Sequence, residues 1–197
     1  MTPIKTALLA YGLSGKIFHA PFLAANEGFE LYAVLERNNQ KAKHDFPGVK
    51  SYASLEELLA DDSIELVVVN TPNNTHFELA KQCLQAKKHV LLEKPATATP
   101  EEFLELMELA KSVKKHLLIY QNRRWSSDIC AAKEVINSVR LGDIVEIHLR
   151  FDRYRPTISP KRFKEHELPG SGILYDLGSH LIDQAISIFG KPKKHYV

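Results

Sequence analysis

Short apolar runs, each ending abruptly in a polar, glycine or proline break, recur from Ile4 to Tyr120 with helix-like segments between them. The runs are Ile4–Ala10, Glu30–Leu35, Val49–Tyr52, Ile64–Val69, His89–Leu92 and Leu117–Tyr120. Runs of about four to eight such residues are the length of buried strands. Strands that alternate with helices need crossover connections, which make neighbouring strands parallel. A parallel sheet is covered by helices on both faces. The fold class predicted is therefore α/β, a doubly wound parallel sheet over residues 1–122.

In open parallel sheets, ligands sit just outside the carboxyl ends of the strands. The breaks are then the candidate site. The first is Ala10-Tyr11-Gly12-Leu13-Ser14-Gly15, followed by a helix from Lys16 to Ala25. It is a dinucleotide fingerprint with alanine in the first glycine position. Gly12 lets the backbone approach a pyrophosphate, Ser14 stands in the same turn, and Gly15 lets helix pack closely on strand. The second run ends in Glu36-Arg37, with Glu36 21 residues past Gly15, about where an acid meets the adenosine ribose. Arg37 points the other way, because a guanidinium pairs with a 2′-phosphate. Glu36 favours NAD and Arg37 favours NADP; a solvated strand end is the plain alternative.

The run to Val69 ends in Asn70-Thr71-Pro72-Asn73-Asn74-Thr75-His76, whose amides and hydroxyls suit a cofactor's ribose or amide, or a plain helix cap at Thr75. His89–Leu92 stops in Glu93-Lys94-Pro95, which places an acid and a base at the mouth of the crevice. Ser54 with Glu57 reads as a capping box, and Thr99-Pro100-Glu101-Glu102 opens a further helix. In that helix Leu104, Met107, Leu109 and Val113 form an apolar stripe expected to face the core.

After Gln121-Asn122-Arg123-Arg124-Trp125 the pattern changes. Asp128–Val139 reads as a helix, Ile144–Phe151 as a long strand, Ile173–Phe189 as a helix, and a last strand begins near Lys193. Residues 123–197 therefore read as a second unit with a different pattern. Asp176 and His180 lie four apart, on one helix face, with Asp183 nearby. A carboxylate one turn from a histidine can hold its ring for general acid/base work. By spacing alone, a pair that bonds for structural reasons is the more economical reading. A metal site would need more ligands than the helix offers.

Composition excludes several classes. A net charge of +2 with no basic patch argues against nucleic acid. No apolar stretch approaches the ~20 residues that span a bilayer. Cys83 and Cys130 have no metal-type spacing and read as free thiols. With Met-Thr-Pro-Ile-Lys running directly into a strand, a cytoplasmic protein without a signal peptide is expected.

Five motifs now stand in order: Gly12 to Pro21, Thr71 to His76, Glu93-Lys94-Pro95, Asn122 to Trp125, and Tyr175-Asp176-Leu177-Gly178-Ser179-His180. Together they resemble the glucose–fructose oxidoreductase/inositol dehydrogenase family, Gfo/Idh/MocA, most of all its NADP-dependent scyllo-inositol dehydrogenase branch. The resemblance implies a Rossmann domain followed, over residues 123–197, by the start of a substrate and oligomerisation domain of α+β class with an open antiparallel sheet, and hydride transfer between a nicotinamide cofactor (NADP, with NAD possible) and a polyol, cyclitol or sugar. It implies that Lys94, Asp176 and His180 are catalytic. Gly12, Ser14, Gly15, Glu36, Arg37, Thr71, Asn73, His76, Glu93, Asn122 and Arg124 would line the cofactor, and Tyr154 and Arg155 would reach substrate. No metal is implied, and a homo-oligomer is. Ala10, Ala96 and Ser126 depart from the usual residues without removing a catalytic group. Relatives continue for well over a hundred residues beyond the last helix, so the chain is read as truncated. A catalytically silent dinucleotide sensor is the alternative.

Overall fold

Alternate residues along each central strand of the computed structural model enter two different cores. The structure describes residues 2–36, 40–154, 156–157 and 169–194. It divides into two compact units, residues 1–120 and 121–197.

The first unit is a six-stranded parallel sheet. Its strands are β1 (Ile4–Leu8), β2 (Phe29–Leu35), β3 (Lys50–Tyr52), β4 (Leu66–Val69), β5 (His89–Leu92) and β6 (Leu117–Ile119), in spatial order β3-β2-β1-β4-β5-β6. The order reverses between β1 and β4, which makes their carboxyl ends the topological switch point. The helices are α1 (Ala20–Ala25), entered through a π-turn at Gly15–His19, then α2 (Lys41–Asp45), α3 (Leu55–Ala60), α4 (His76–Gln85) and α5 (Pro100–Ser112). On one face Ala7, Val67, Val69, Val90 and Leu92 pack against Leu58 of α3, Leu84 of α4 and Leu106 of α5. On the other, Leu8, Val34 and Val68 pack against Ala20 of α1 and Ala42 of α2. A period of two with helices on both sides is what the apolar runs predict.

Caps fix the helix starts. Ser54 accepts from the Glu57 amide, and Thr99 and Glu102 form a full capping box with Pro100 in the first turn. The predicted stripe of α5 needs correction. Leu104 is 56% and Met107 49% exposed, whereas Leu106 and Ala110 are buried and Leu109 and Val113 only pack against the core's margin. The apolar residues of α5 spread around more than one face, so counting them did not identify the inward one.

The second unit contains a 3₁₀ turn (Asn122–Trp125), α6 (Ser127–Asn137), a π-turn (Leu174–Gly178) and α7 (Ser179–Phe189). The predicted strand Ile144–Phe151 is not a strand in the structure, and Val145 is 97% exposed. An extended run becomes a strand only by pairing its backbone, and no partner strand exists among the described residues of this unit. The strand expected from Lys193 falls mostly outside the described residues.

Candidate functional site

The switch point holds a cleft of about 910 Å³. It is walled by Ala10 and Tyr11 after β1, Glu36 after β2, Ser54 after β3 and Thr71 after β4. Asn70, just after β4, braces the Ala10 wall: its side-chain oxygen accepts from the Ala10 amide at 3.0 Å and its amide donates to the Ala10 carbonyl at 2.8 Å. The side chain thus extends the β1–β4 ladder by one pair and is not left to face a ligand.

Two glycines in the turn do different work. A Cβ on Gly15 would sit 2.2 Å from the Ala10 carbonyl oxygen and 2.9 Å from the Asn70 amide nitrogen. A Cβ on Gly12 would meet nothing within 4 Å. Gly15 therefore serves helix-to-strand packing, and Gly12 leaves its backbone open to an incoming group. An open turn at a helix entrance, beside a cleft at the switch point, fits a dinucleotide.

Glu36 reaches the cleft but is committed elsewhere as well. Its two carboxylate oxygens accept from the Lys41 and Ala42 amides at 2.9 and 3.0 Å, at the start of α2. Arg37, its expected rival, lies outside the described residues, as does Arg155. Opposite, Tyr11 donates to Asp45 at 2.9 Å and Lys16 pairs with the same oxygen at 2.7 Å. These donors, led by Lys16, pull the Asp45 carboxyl down to about 2, while burial and Asp45 push the Tyr11 phenol up to about 12.

At the end of β5, Glu93 is joined to the glycine turn. Ser14 donates to one of its carboxylate oxygens at 2.5 Å, and His19 Nε2 lies 2.8 Å from the same oxygen. Burial works to raise the Glu93 pKa, but donation from His19 and Ser14 outweighs it and holds the carboxyl below its ordinary value. The His19 ring leans on Tyr120 with centroids 4.4 Å apart, and the Tyr120 hydroxyl donates to the Phe18 carbonyl at 2.9 Å. Sequence reading assigns His19 no role beyond its place in the Gly12-to-Pro21 motif. Its available signal was the offset of four from Gly15, which puts both on the inward side of one turn.

His76 is buried, with Nδ1 2.7 Å from the Pro95 carbonyl and Nε2 3.0 Å from the Thr71 carbonyl. It ties the loop after β4 to the loop after β5. Burial pulls its pKa down and the two carbonyls partly oppose that. Thr71 shares a hydrogen bond of 2.7 Å with Thr75, which also donates to the Pro72 carbonyl, so the Thr75 hydroxyl is turned inward and makes no side-chain cap on α4. Asn73 lies in the intervening 3₁₀ turn, and Lys94 follows Glu93 through a half-buried segment whose Lys94–Pro95 peptide is cis.

In the second unit, Asp176 lies in the π-turn and His180 is buried in the first turn of α7, one turn on. The Phe151 ring stands edge-on to His180 at 6.5 Å. Arg124 forms a two-pronged pair with Asp183 of α7, its Nε donating at 3.0 Å and its Nη2 to the other oxygen. Gln184, buried, donates to the Arg123 carbonyl at 3.2 Å. The 3₁₀ turn that begins at Asn122 is thereby fixed to α7. Tyr154 is 91% exposed. No cluster of three metal-ligating side chains occurs among the described residues, and no helix of theirs is long and apolar enough to cross a membrane. Cys83 is buried, which pushes its thiol up to about 12, and Cys130 is exposed; neither is in a disulfide.

Comparison with known proteins agrees with the fold. Residues 4–121 match a family described as an oxidoreductase family with an NAD-binding Rossmann fold, and residues 129–197 match the GFO/IDH/MocA C-terminal domain. The chain is 51% identical to an uncharacterized oxidoreductase of Schizosaccharomyces pombe, over 98% of its own length and 54% of that protein. It is 42% identical to a scyllo-inositol 2-dehydrogenase (NADP(+)) of Bacillus subtilis, over 96% of its length and 53% of the relative. A crystal structure of an oxidoreductase from Bacillus cereus superposes with a TM-score of 0.86 at 35% identity, covering 96% of the chain and 54% of that structure. The chain thus spans about half the length of the curated relatives it matches.

Proposed function

This chain belongs to the Gfo/Idh/MocA oxidoreductase family, and from that premise we propose that it carries the cofactor site and catalytic helix of an NADP(H)-dependent dehydrogenase acting on a secondary alcohol of a polyol, cyclitol or sugar. The observation that carries the reading is the cleft at the β1/β4 switch point, beside the open backbone at Gly12 and on the carboxyl edge of the sheet that ends at Lys94. The bound nicotinamide supplies the carbon that accepts the hydride. Lys94 places a positive charge against the alcohol oxygen as it becomes alkoxide-like. His180 takes the hydroxyl proton, and Asp176 orients the imidazole or the substrate. Arg124, held by Asp183, keeps the turn at Asn122 in place beside α7. The preference for NADP is supported by Glu36, whose oxygens already accept two backbone amides and are poorly placed to bind both ribose hydroxyls as well.

Calorimetric titration with NADP⁺ and NAD⁺ in parallel tests the cofactor reading. NADP⁺ should bind more tightly, and a folded chain that binds neither would overturn it. Turnover of inositols and hexoses, followed by nicotinamide absorbance, tests the chemistry. Reduction of cofactor by none of them would favour a silent sensor.

A further inference from the structure

We propose that His19 is a positioning residue of the dinucleotide site, holding the Glu93 carboxylate on Ser14 and away from the open backbone at Gly12, where a pyrophosphate would sit. The inference rests on the dinucleotide reading above and deepens it. A carboxylate held ionised beside an anion-binding turn opposes the anion by like-charge repulsion. Glu93 is such a group: its oxygen lies 2.5 Å from Ser14 Oγ, inside the turn that runs from Gly12 to Gly15. His19 fixes where that carboxylate stands: its Nε2 lies 2.8 Å from the same oxygen and its side chain is only 3% exposed. With Glu93 ionised, Nε2 must carry the proton and donate it. Little water reaches the contact, so the donation is not screened away.

The ring is held for this task from two sides. It rests on Tyr120 at 4.4 Å, and the Tyr120 hydroxyl holds the Phe18 carbonyl one residue earlier in the same π-turn. The three sheet ends at β1, β5 and β6 thus meet at one carboxylate. Glu93 is also the neighbour of Lys94, so the bond that suits the turn for phosphate fixes the segment that carries the proposed catalytic lysine.

A staple that merely packs helix on sheet would hold the same contacts, and a double-mutant cycle separates the two roles. NADP⁺ affinity is measured for the unsubstituted chain, His19→Leu, Glu93→Gln and the double variant, with thermal unfolding recorded for each. His19→Leu should weaken NADP⁺ binding about tenfold or more when Glu93 is present, and by less than about threefold in the Glu93→Gln background, where no carboxylate is left to turn onto the phosphate position. His19→Gln, whose terminal amide can donate from near the Nε2 position, should recover most of the loss. If His19→Leu does not fold, the cycle is run with His19→Asn, whose shorter amide falls short of Glu93. Equal losses in the two backgrounds, or no loss in either, would overturn the proposal while leaving the dinucleotide site intact. An unsubstituted chain that binds neither NADP⁺ nor NAD⁺ would overturn the site reading and this inference with it.

Discussion

Replacing Gly15 by alanine should damage the fold, and replacing Gly12 by alanine should not. The added Cβ at residue 15 would stand 2.2 Å from the Ala10 carbonyl oxygen, more than ~1 Å inside ordinary contact. That oxygen is backbone, in the segment following β1, so the helix entrance must move instead. Overpacking of this kind costs about 1–3 kcal/mol. The same Cβ comes 2.9 Å from the Asn70 amide, so part of the Asn70–Ala10 pair, worth about 1 kcal/mol, is lost with it. The sum, about 2–4 kcal/mol, corresponds to a fall of roughly 5–15 °C in Tm for a chain of this size. Gly12 has open space, so Gly12→Ala should change stability by less than ~0.5 kcal/mol. On the proposed function, it should still weaken NADP⁺ binding about tenfold by blocking the backbone's approach to the pyrophosphate. Circular dichroism melts and calorimetric titration of both variants check this. A Gly15→Ala chain that melts within ~2 °C of the parent would refute the packing argument.

Other perturbations probe different parts. His89 Nδ1 accepts from the His116 amide at 3.0 Å, and burial, with Lys115 adding to it, holds its pKa below the ordinary value. The folded state therefore binds fewer protons than the unfolded chain, and stability should fall as pH drops from 7 through the ordinary histidine range. His76, also depressed, adds in the same direction. His89→Asn keeps an acceptor for the His116 amide and should flatten the slope of Tm against pH; an unchanged slope would exclude His89 as a source. Asp61 accepts from the Tyr52 hydroxyl at 2.6 Å and the Tyr32 hydroxyl at 3.1 Å with its side chain 15% exposed. Asp61→Ala should cost about 2 kcal/mol in urea unfolding, and an unchanged midpoint would show that the cluster carries no net stability. In a chain shown to turn over, Lys94→Met should lower kcat about a hundredfold or more while NADP⁺ affinity changes by less than about threefold. A kcat within a few-fold of the parent would remove Lys94 from the chemistry.

Local chemistry was legible wherever one residue's own constraint decided it. Gly15, Ser54, Thr99 and the abrupt ends of the apolar runs each announce a turn, cap or strand end, and together they specify the parallel sheet. What escaped were bonds that depend on how a loop closes or on a partner far along the chain. Sequence position places Glu36 at the end of β2, where a ribose ligand is expected; that its oxygens also accept from the start of α2 depends on how that loop closes. His19 looked incidental because its partner, Glu93, is 74 positions away. The run from Ile144 reads as a strand in isolation, but pairing is a property of two segments. Asp176 and His180 stand one turn apart, as a spacing of four implies, while the engagement of Asp183 by Arg124 could not be read from spacing.

The amide of Asn70 has a consequence in time. Ala10 lies beyond Leu8, the last residue of β1, where backbone protons would ordinarily exchange quickly with water. Its N–H is instead sealed by the Asn70 side chain, and its carbonyl by the other half of the same amide. In deuterated solvent the Ala10 amide should therefore exchange at the slow rate of the β1–β4 seam, retained until the two strands part. Asn70→Asp would keep the acceptor but lose the donor, set a carboxylate against the Ala10 carbonyl, and turn one of the slowest clocks in the sheet into a fast one.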